Sequence, residues 1–158
     1  MQKTLNKKNY YKLYSYRFAF SQMNKAIDGK FYLEAITIQE SIITDRILNF
    51  VINKNIKIIK EDELYRTLVN LNKLIEYSKS YFDDENLYDD LNNFRKDRNK
   101  CIHAIVKSYP GNPTIKVNDF QKLAKETSLN GRILTRKVDA WHRRMKKKSL
   151  VNAIDLVL

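Results

Sequence analysis

Cysteine occurs once, at Cys101, so the chain can form neither an internal disulfide nor a zinc–thiolate cluster. Proline occurs twice and glycine three times in 158 residues. With so few turn formers, a many-stranded β fold is disfavoured and long helices are favoured. No Ser- or Gly-rich linker divides the sequence, so a single domain over residues 1–158 is the economical reading. The two histidines, His103 and His142, stand too far apart in sequence for a local metal pair, and no metal or other cofactor is expected. No window reaches the ~18 uncharged apolar residues of a membrane span. The opening MQKTLNKKNYYKLY also lacks the apolar stretch of a signal peptide. A cytoplasmic protein with no membrane partner is expected.

Positive charge, by contrast, is abundant. Thirty Lys and Arg against eighteen Asp and Glu give a net charge of +12. Such an excess draws phosphate backbones, anionic membranes or acidic proteins without choosing among them. A general Lys- and Asn-rich composition is the alternative account. Hydrophobic residues make up 43% of the chain, enough for a core without cross-links.

Helical periodicity runs through most of the sequence. Residues 1–9 are polar and expected to fray. A first helix is read from Tyr10 to Ile27, stopped by Asp28-Gly29. Tyr10, Tyr11, Tyr14 and Tyr16 on it suit packing or dimer contacts better than base stacking. A second helix, about Phe31 to Asn53, carries Ile36, Ile43, Ile47 and Phe50 on one wide face and should be largely buried. After a lysine-bearing connection, a third fits Glu61 to Tyr81, with Leu64, Leu68, Leu71 and Ile75 as its stripe. The acidic cluster Asp83–Asn86 reads as an N-terminal cap for a fourth helix reaching about Ser108. Tyr109–Pro113 (YPGNP) is a break. Asn118 with Gln121 resembles a capping box for the last helical region, which Asn130-Gly131 would kink or divide. Residues 131–150 then form a strongly basic helix. The fold class expected is all-α, an antiparallel bundle of four to five helices.

The fourth helix holds an anomaly. Placing Arg98 at zero on a wheel of 100° per residue puts Leu87 and Ile105 at about −20°, Leu91 at about +20° and Phe94 near −40°. Arg98 therefore falls in the middle of the apolar stripe, where a charge is costly unless paired and hydrogen-bonded. Asn99 follows at about 100° and His103 at about 140°, so the three polar groups trace one arc, as on the wall of a cleft. A phosphate clamp, an amide and a base of near-neutral pKa suit phosphate chemistry. On geometry alone a plainer account competes well: Arg98 pairs with a carboxylate of the second helix, Glu40 or Glu34, and His103 is a half-buried surface residue.

The string FRKDRNKCIHAI (Phe94–Ile105) resembles the signature of the HEPN family, in which Arg is followed after four to six residues by His. YLEAITIQESIITDRIL in the second helix is similar to its counterpart in several HEPN groups. The likeness covers roughly Phe20 to Lys107. It implies a helical bundle of HEPN type and a homodimeric, metal-independent endoribonuclease of toxin or phage-defence type. It also implies an RNA substrate, 2′,3′-cyclic phosphate products, and an antitoxin or defence-system protein as partner. By the same likeness, His103 would move the proton, Arg98 would stabilise the phosphate charge and Asn99 would position. Apart from the likeness, the positive charge of Arg95, Lys100, Arg143, Arg144 and Lys147 makes them the residues expected to hold an RNA backbone, and Glu40 is the candidate carboxylate partner of Arg98. One departure stands out. HEPN toxins controlled by a nucleotidyltransferase antitoxin carry Tyr two residues after the His, and here that residue is Ile105. The alternative is a non-catalytic HEPN-like module that binds RNA or protein.

Arg136 and His142 (RKVDAWH) repeat an Arg-to-His spacing, but their Arg143, Arg144 and Lys146–Lys148 neighbours suggest a solvated basic helix. Trp141 within it could stack on a base or pack on the bundle.

Overall fold

The computed structural model describes residues 2–54, 70–103 and 115–155; of residues 2–9 and 150–155 it describes the backbone alone. The described residues form five helices, α1 (Gln2–Asp28), α2 (Tyr32–Asn53), α3 (Leu71–Ser78), α4 (Leu87–His103) and α5 (Val117–Asp155). A 3-10 turn (Lys79–Tyr81) follows α3, and no strand occurs among the described residues. The fold is an all-α bundle.

Helix α2 is the centre. It buries Ala35, Ile36, Gln39, Ile42, Ile43, Ile47, Phe50 and Val51 and touches each of the other four helices. The spread of those positions around the helix is what a segment packed on several sides requires. Against them pack Leu74 and Ile75 of α3, Leu87, Leu91 and Phe94 of α4, and Leu134, Val138, Trp141 and Met145 of α5. Full burial of one such large apolar side chain is worth about 1.5–3 kcal/mol. Contacts fix the directions. Lys12 meets Asn49 and Tyr16 meets Asp45, so α1 and α2 run antiparallel. Cys101 meets Thr127, Asp90 meets Lys137 and Asp83 meets Arg144, so α4 and α5 do too. α2 and α5 run parallel, with Gln39 on Ser128 and Arg46 on Asp139.

Several boundaries differ from those read in the sequence. α1 is helical from Gln2 rather than Tyr10; its polar leader holds no breaker, so a helix nucleated downstream propagates into it. Its stop uses the expected turn, with Phe31 N–H donating to the Ala26 carbonyl at 2.7 Å, but the left-handed residue is Lys30 (φ 63°), not Gly29. α3 starts at Leu71, where the Asn70 side chain accepts from the backbone N–H groups of Asn72 and Lys73. The earlier part of the expected third helix, with Leu64 and Leu68, lies outside the described residues. So do the expected end of α4 beyond His103, Ile105 and the YPGNP break. Asn118 lies inside the first turn of α5 rather than at its cap.

The largest correction concerns Gly131, which does not divide α5: the helix runs unbroken through it. A Cβ there would meet the Gln39 side chain, with Cδ at 2.8 Å, and Phe94 Cε2 at 2.7 Å. At this glycine the side chains of α2 and α4 press against the backbone of α5, and its lack of a side chain makes room for them.

The aromatic residues also sort differently. Trp141 is fully buried, its indole N–H donating to the Tyr81 carbonyl at 3.0 Å and its ring against Phe50 and Phe82. It packs on the bundle and offers no face to a base. On α1, Tyr16 is half-buried and lies under the Arg46 guanidinium, 3.5 Å from its ring centroid. Tyr10, Tyr11 and Tyr14 are exposed, so packing within the chain is not their role.

His142 is buried rather than solvated, and its Nδ1 has no hydrogen-bond partner among the described residues. Burial, and then the nearby Arg46 charge, push its pKa down to about 4. The unfolded chain, with an ordinary imidazole near ~6.5, then binds more protons between the two values, so stability falls as pH drops through that window. His142→Gln should remove this part of the acid sensitivity, on the order of 2 kcal/mol. Melting curves of both proteins at pH 7 and pH 4.5 check it; parallel losses on acidification would show that His142 contributes nothing.

Candidate phosphate-binding site on α4

Arg98 stands three turns into α4, where the helix passes Glu40 of α2. Its Nε donates to Glu40 Oε2 at 2.8 Å and its NH2 approaches the same oxygen at 2.6 Å. Its NH1 donates to Asn99 Oδ1 at 2.8 Å. Nε and NH1 each donate one hydrogen bond and NH2 rests against Glu40, so among the described residues two of the five guanidinium N–H groups are left for a ligand. Glu34, the other carboxylate considered from sequence, is one turn and a half away on α2 and lines a different groove.

Arg98 is less buried than the wheel suggests, with its side chain 26% exposed and that of Glu40 23%. The core face of α4 drifts toward Cys101, which is fully buried against Thr127 of α5, while Ile102 on the other flank is exposed. Arg98 therefore sits on the border of the stripe. A guanidinium there keeps its ion pair and still reaches solvent.

The surrounding cleft, about 580 Å³, is lined by Glu40, Asn70, Asn72, Arg95, Arg98 and Asn99 along with Leu71. Arg95, Arg98, Asn99 and Glu40, all singled out from the sequence, are brought together in it. Asn70 and Asn72 are not, because nothing in the sequence says that the start of α3 abuts α4. His103 is exposed at the end of α4, one turn beyond Asn99 on the same face, and makes no hydrogen bond to Arg98 or Asn99.

The other expected RNA-binding residues lie elsewhere. Lys100 is on the opposite side of α4 from Arg98, at about 200° on the wheel, and pairs with Asp97 at 3.0 Å. Arg143, Arg144 and Lys147 are at the far end of the bundle. Arg144 docks beside the start of α4, and from Leu87 to Arg98 the helix rises about 16 Å. Arg144 is also engaged, both its Nε and NH2 donating to the two Asp83 carboxylate oxygens at 2.8 Å. That hydrogen-bonded pairing holds the Asp83 carboxyl below its usual range. Arg143 pairs with Asp139 at 3.2 Å. Lys137 lies between Asp84 and Asp90, at 3.2 and 2.8 Å. The acidic cluster read as a helix cap thus anchors the basic helix, while Asp84 Oδ1 accepts from the Asn86 N–H at 3.0 Å just before α4 begins. Lys137 and Arg144 are seven residues apart, on one face of α5, and that spacing was the available signal.

Two further features complete the comparison of surfaces. An apolar groove of about 590 Å³ between α1 and α2, beside Tyr16, Phe18 and Ile38, holds Glu34 but none of the residues expected to act on or hold RNA. Among the described residues no three His, Cys, Asp or Glu side chains gather as a metal site, and no helix is long and apolar enough to cross a membrane. No family model, no curated protein and no solved structure matches the chain.

Proposed function

We propose that this protein is an endoribonuclease of HEPN type, of the toxin or phage-defence kind, working without a metal through Arg98, Asn99 and His103. The observation that carries the reading is the state of Arg98: fixed by Glu40 and Asn99, yet open to a cleft with two N–H groups unengaged among the described residues. Such a guanidinium is pre-positioned for the non-bridging oxygens of a phosphodiester, with little reorganisation when charge builds on them. In the reaction, the ribose 2′-oxygen forms a bond to phosphorus and the bond to the 5′-oxygen breaks. One proton leaves the 2′-hydroxyl and one joins the departing 5′-oxygen. His103, exposed and one turn from Asn99, is the proton-transfer group on this chain. A second copy of the motif, facing the first across a homodimer cleft, supplies the complementary transfer. The +12 charge favours a polyanionic substrate.

A second reading draws on the same ion pair. An Arg98 held by Glu40 is also what a purely structural role would produce, leaving a non-catalytic RNA- or protein-binding module. The separating experiment is incubation of end-labelled RNA with the protein in EDTA, beside His103→Ala. The expected result is fragments from the wild type that the variant does not make. Intact RNA across a panel of sequences and structures would favour the module.

A further inference from the structure

We infer that the cleft beside Arg98 contains a second phosphate subsite centred on Arg95, which takes the phosphate adjoining the one held by Arg98. The role assigned to it rests on the ribonucleic acid reading above. The observations that define it do not.

Arg95 differs from the arginines that the bundle uses for its own cohesion. Arg46, Arg98, Arg143 and Arg144 each meet a carboxylate. Arg95, among the described residues, meets none, although it is half-buried and its Nε is shut off from solvent without a hydrogen-bond partner. Desolvating part of a guanidinium and giving it no counter-charge is unfavourable, and an anion entering the cleft would offset that cost. The lining is otherwise suited to one. Asn70, Asn72 and Asn99 bring neutral amides, and the one carboxylate among the described lining residues, Glu40, is already committed to Arg98. Two guanidinium charges against one carboxylate leave the cleft positive.

The spacing separates the two roles. Arg95 precedes Arg98 by three residues, about 4.5 Å along the axis and about 60° around it. Arg95, Asn99 and His103 then succeed one another at four-residue steps, about 6 Å each, along one face of α4. A strand laid on that face meets Arg95 at one end and His103 at the other. Arg98, tethered to Glu40, is not free to share the phosphate at Arg95. The backbone N–H groups of Asn72 and Lys73 are taken by the Asn70 side chain, so the subsite depends on side chains and not on the helix end. A cleft of about 580 Å³ admits a nucleotide rather than a duplex. The substrate class is therefore a single strand bearing a phosphate next to the cut, and a dinucleoside monophosphate would be too short.

The test uses a short oligothymidylate, which lacks the 2′-hydroxyl and so reports binding without cleavage. Its affinity is followed by fluorescence anisotropy across a range of KCl for wild type, Arg95→Gln, Arg95→Lys and, as a control outside the cleft, Arg17→Gln. Arg95→Gln should bind about tenfold more weakly, and the slope of log K on log salt should flatten by about 0.7, the loss of one single-strand phosphate contact. Arg95→Lys keeps the charge and should retain the wild-type slope, which separates loss of the contact from damage to the fold. Arg17→Gln should match the wild type. Equal affinities and slopes for Arg95→Gln and wild type would overturn the subsite, even if the protein cuts RNA. Arg95-dependent binding by a protein that cuts no RNA would keep the subsite and sink only the ribonuclease reading.

Discussion

His103→Ala is expected to lower RNA cleavage by about 10²–10⁴-fold while leaving the melting temperature unchanged. His103 is exposed at the end of α4 and contributes no hydrogen bond to the bundle among the described residues, so the fold has nothing to lose with it. Arg98→Ala should behave differently. It removes the partner of Glu40 and the donor to Asn99, and a hydrogen bond to a charged group contributes about 1.5–3 kcal/mol. A measurable loss of stability should therefore accompany a loss of about 10²–10³-fold in cleavage. Arg98→Lys should recover part of the stability and little of the activity, because an ammonium cannot bridge Glu40 and Asn99 and also reach a phosphate. Parallel melting and cleavage measurements on the three variants check this. A His103→Ala protein that melts earlier and cuts as well as wild type would assign His103 to structure.

The second large effect is at Gly131. In an ordinary helix interior, glycine to alanine gains up to about 1 kcal/mol from propensity. At this position the added methyl would strike the Gln39 amide and the Phe94 ring, at 2.8 and 2.7 Å, both held in the core. Gln39 is fixed in turn by its donation to the Ser128 carbonyl at 2.7 Å, so it cannot simply swing aside. Overpacking of this kind costs about 1–3 kcal/mol beyond the propensity gain, and Gly131→Ala should be less stable than wild type in urea denaturation. Because Gln39 adjoins Glu40, the displacement also reaches the Arg98 pair, and cleavage should fall with stability. A Gly131→Ala protein more stable than wild type would contradict the close approach of α2, α4 and α5.

These two cases mark how far the sequence could be read. Periodicity placed the core positions of α2 and the stripe of α4 because burial of one face leaves its imprint at every turn. The same pattern drew attention to Arg98, although the wheel put it in the middle of the stripe and the folded helix puts it on the border. Choosing Glu40 over Glu34 needed the register of two helices, which no single-helix pattern contains. Gly131 was misread because a helix breaker and a packing notch share one letter, and only the neighbours from α2 and α4 distinguish them. Five basic neighbours hid His142 and left open whether Trp141 stacks or packs: the long Lys and Arg side chains occupy the outer face while the two rings turn inward. The grouping of Arg95 with Asn70 and Asn72 was illegible too, since α3 meets α4 only in the folded chain.

The chemistry of the product ends tests the central proposal most directly. RNA cleaved by the protein in EDTA should carry 2′,3′-cyclic phosphate on one fragment and a 5′-hydroxyl on the next, as transfer through the 2′-oxygen requires. Mass spectrometry of the fragments reads both ends at once. Fragments with 3′-hydroxyl and 5′-phosphate ends, formed only when a divalent metal is supplied, would contradict it.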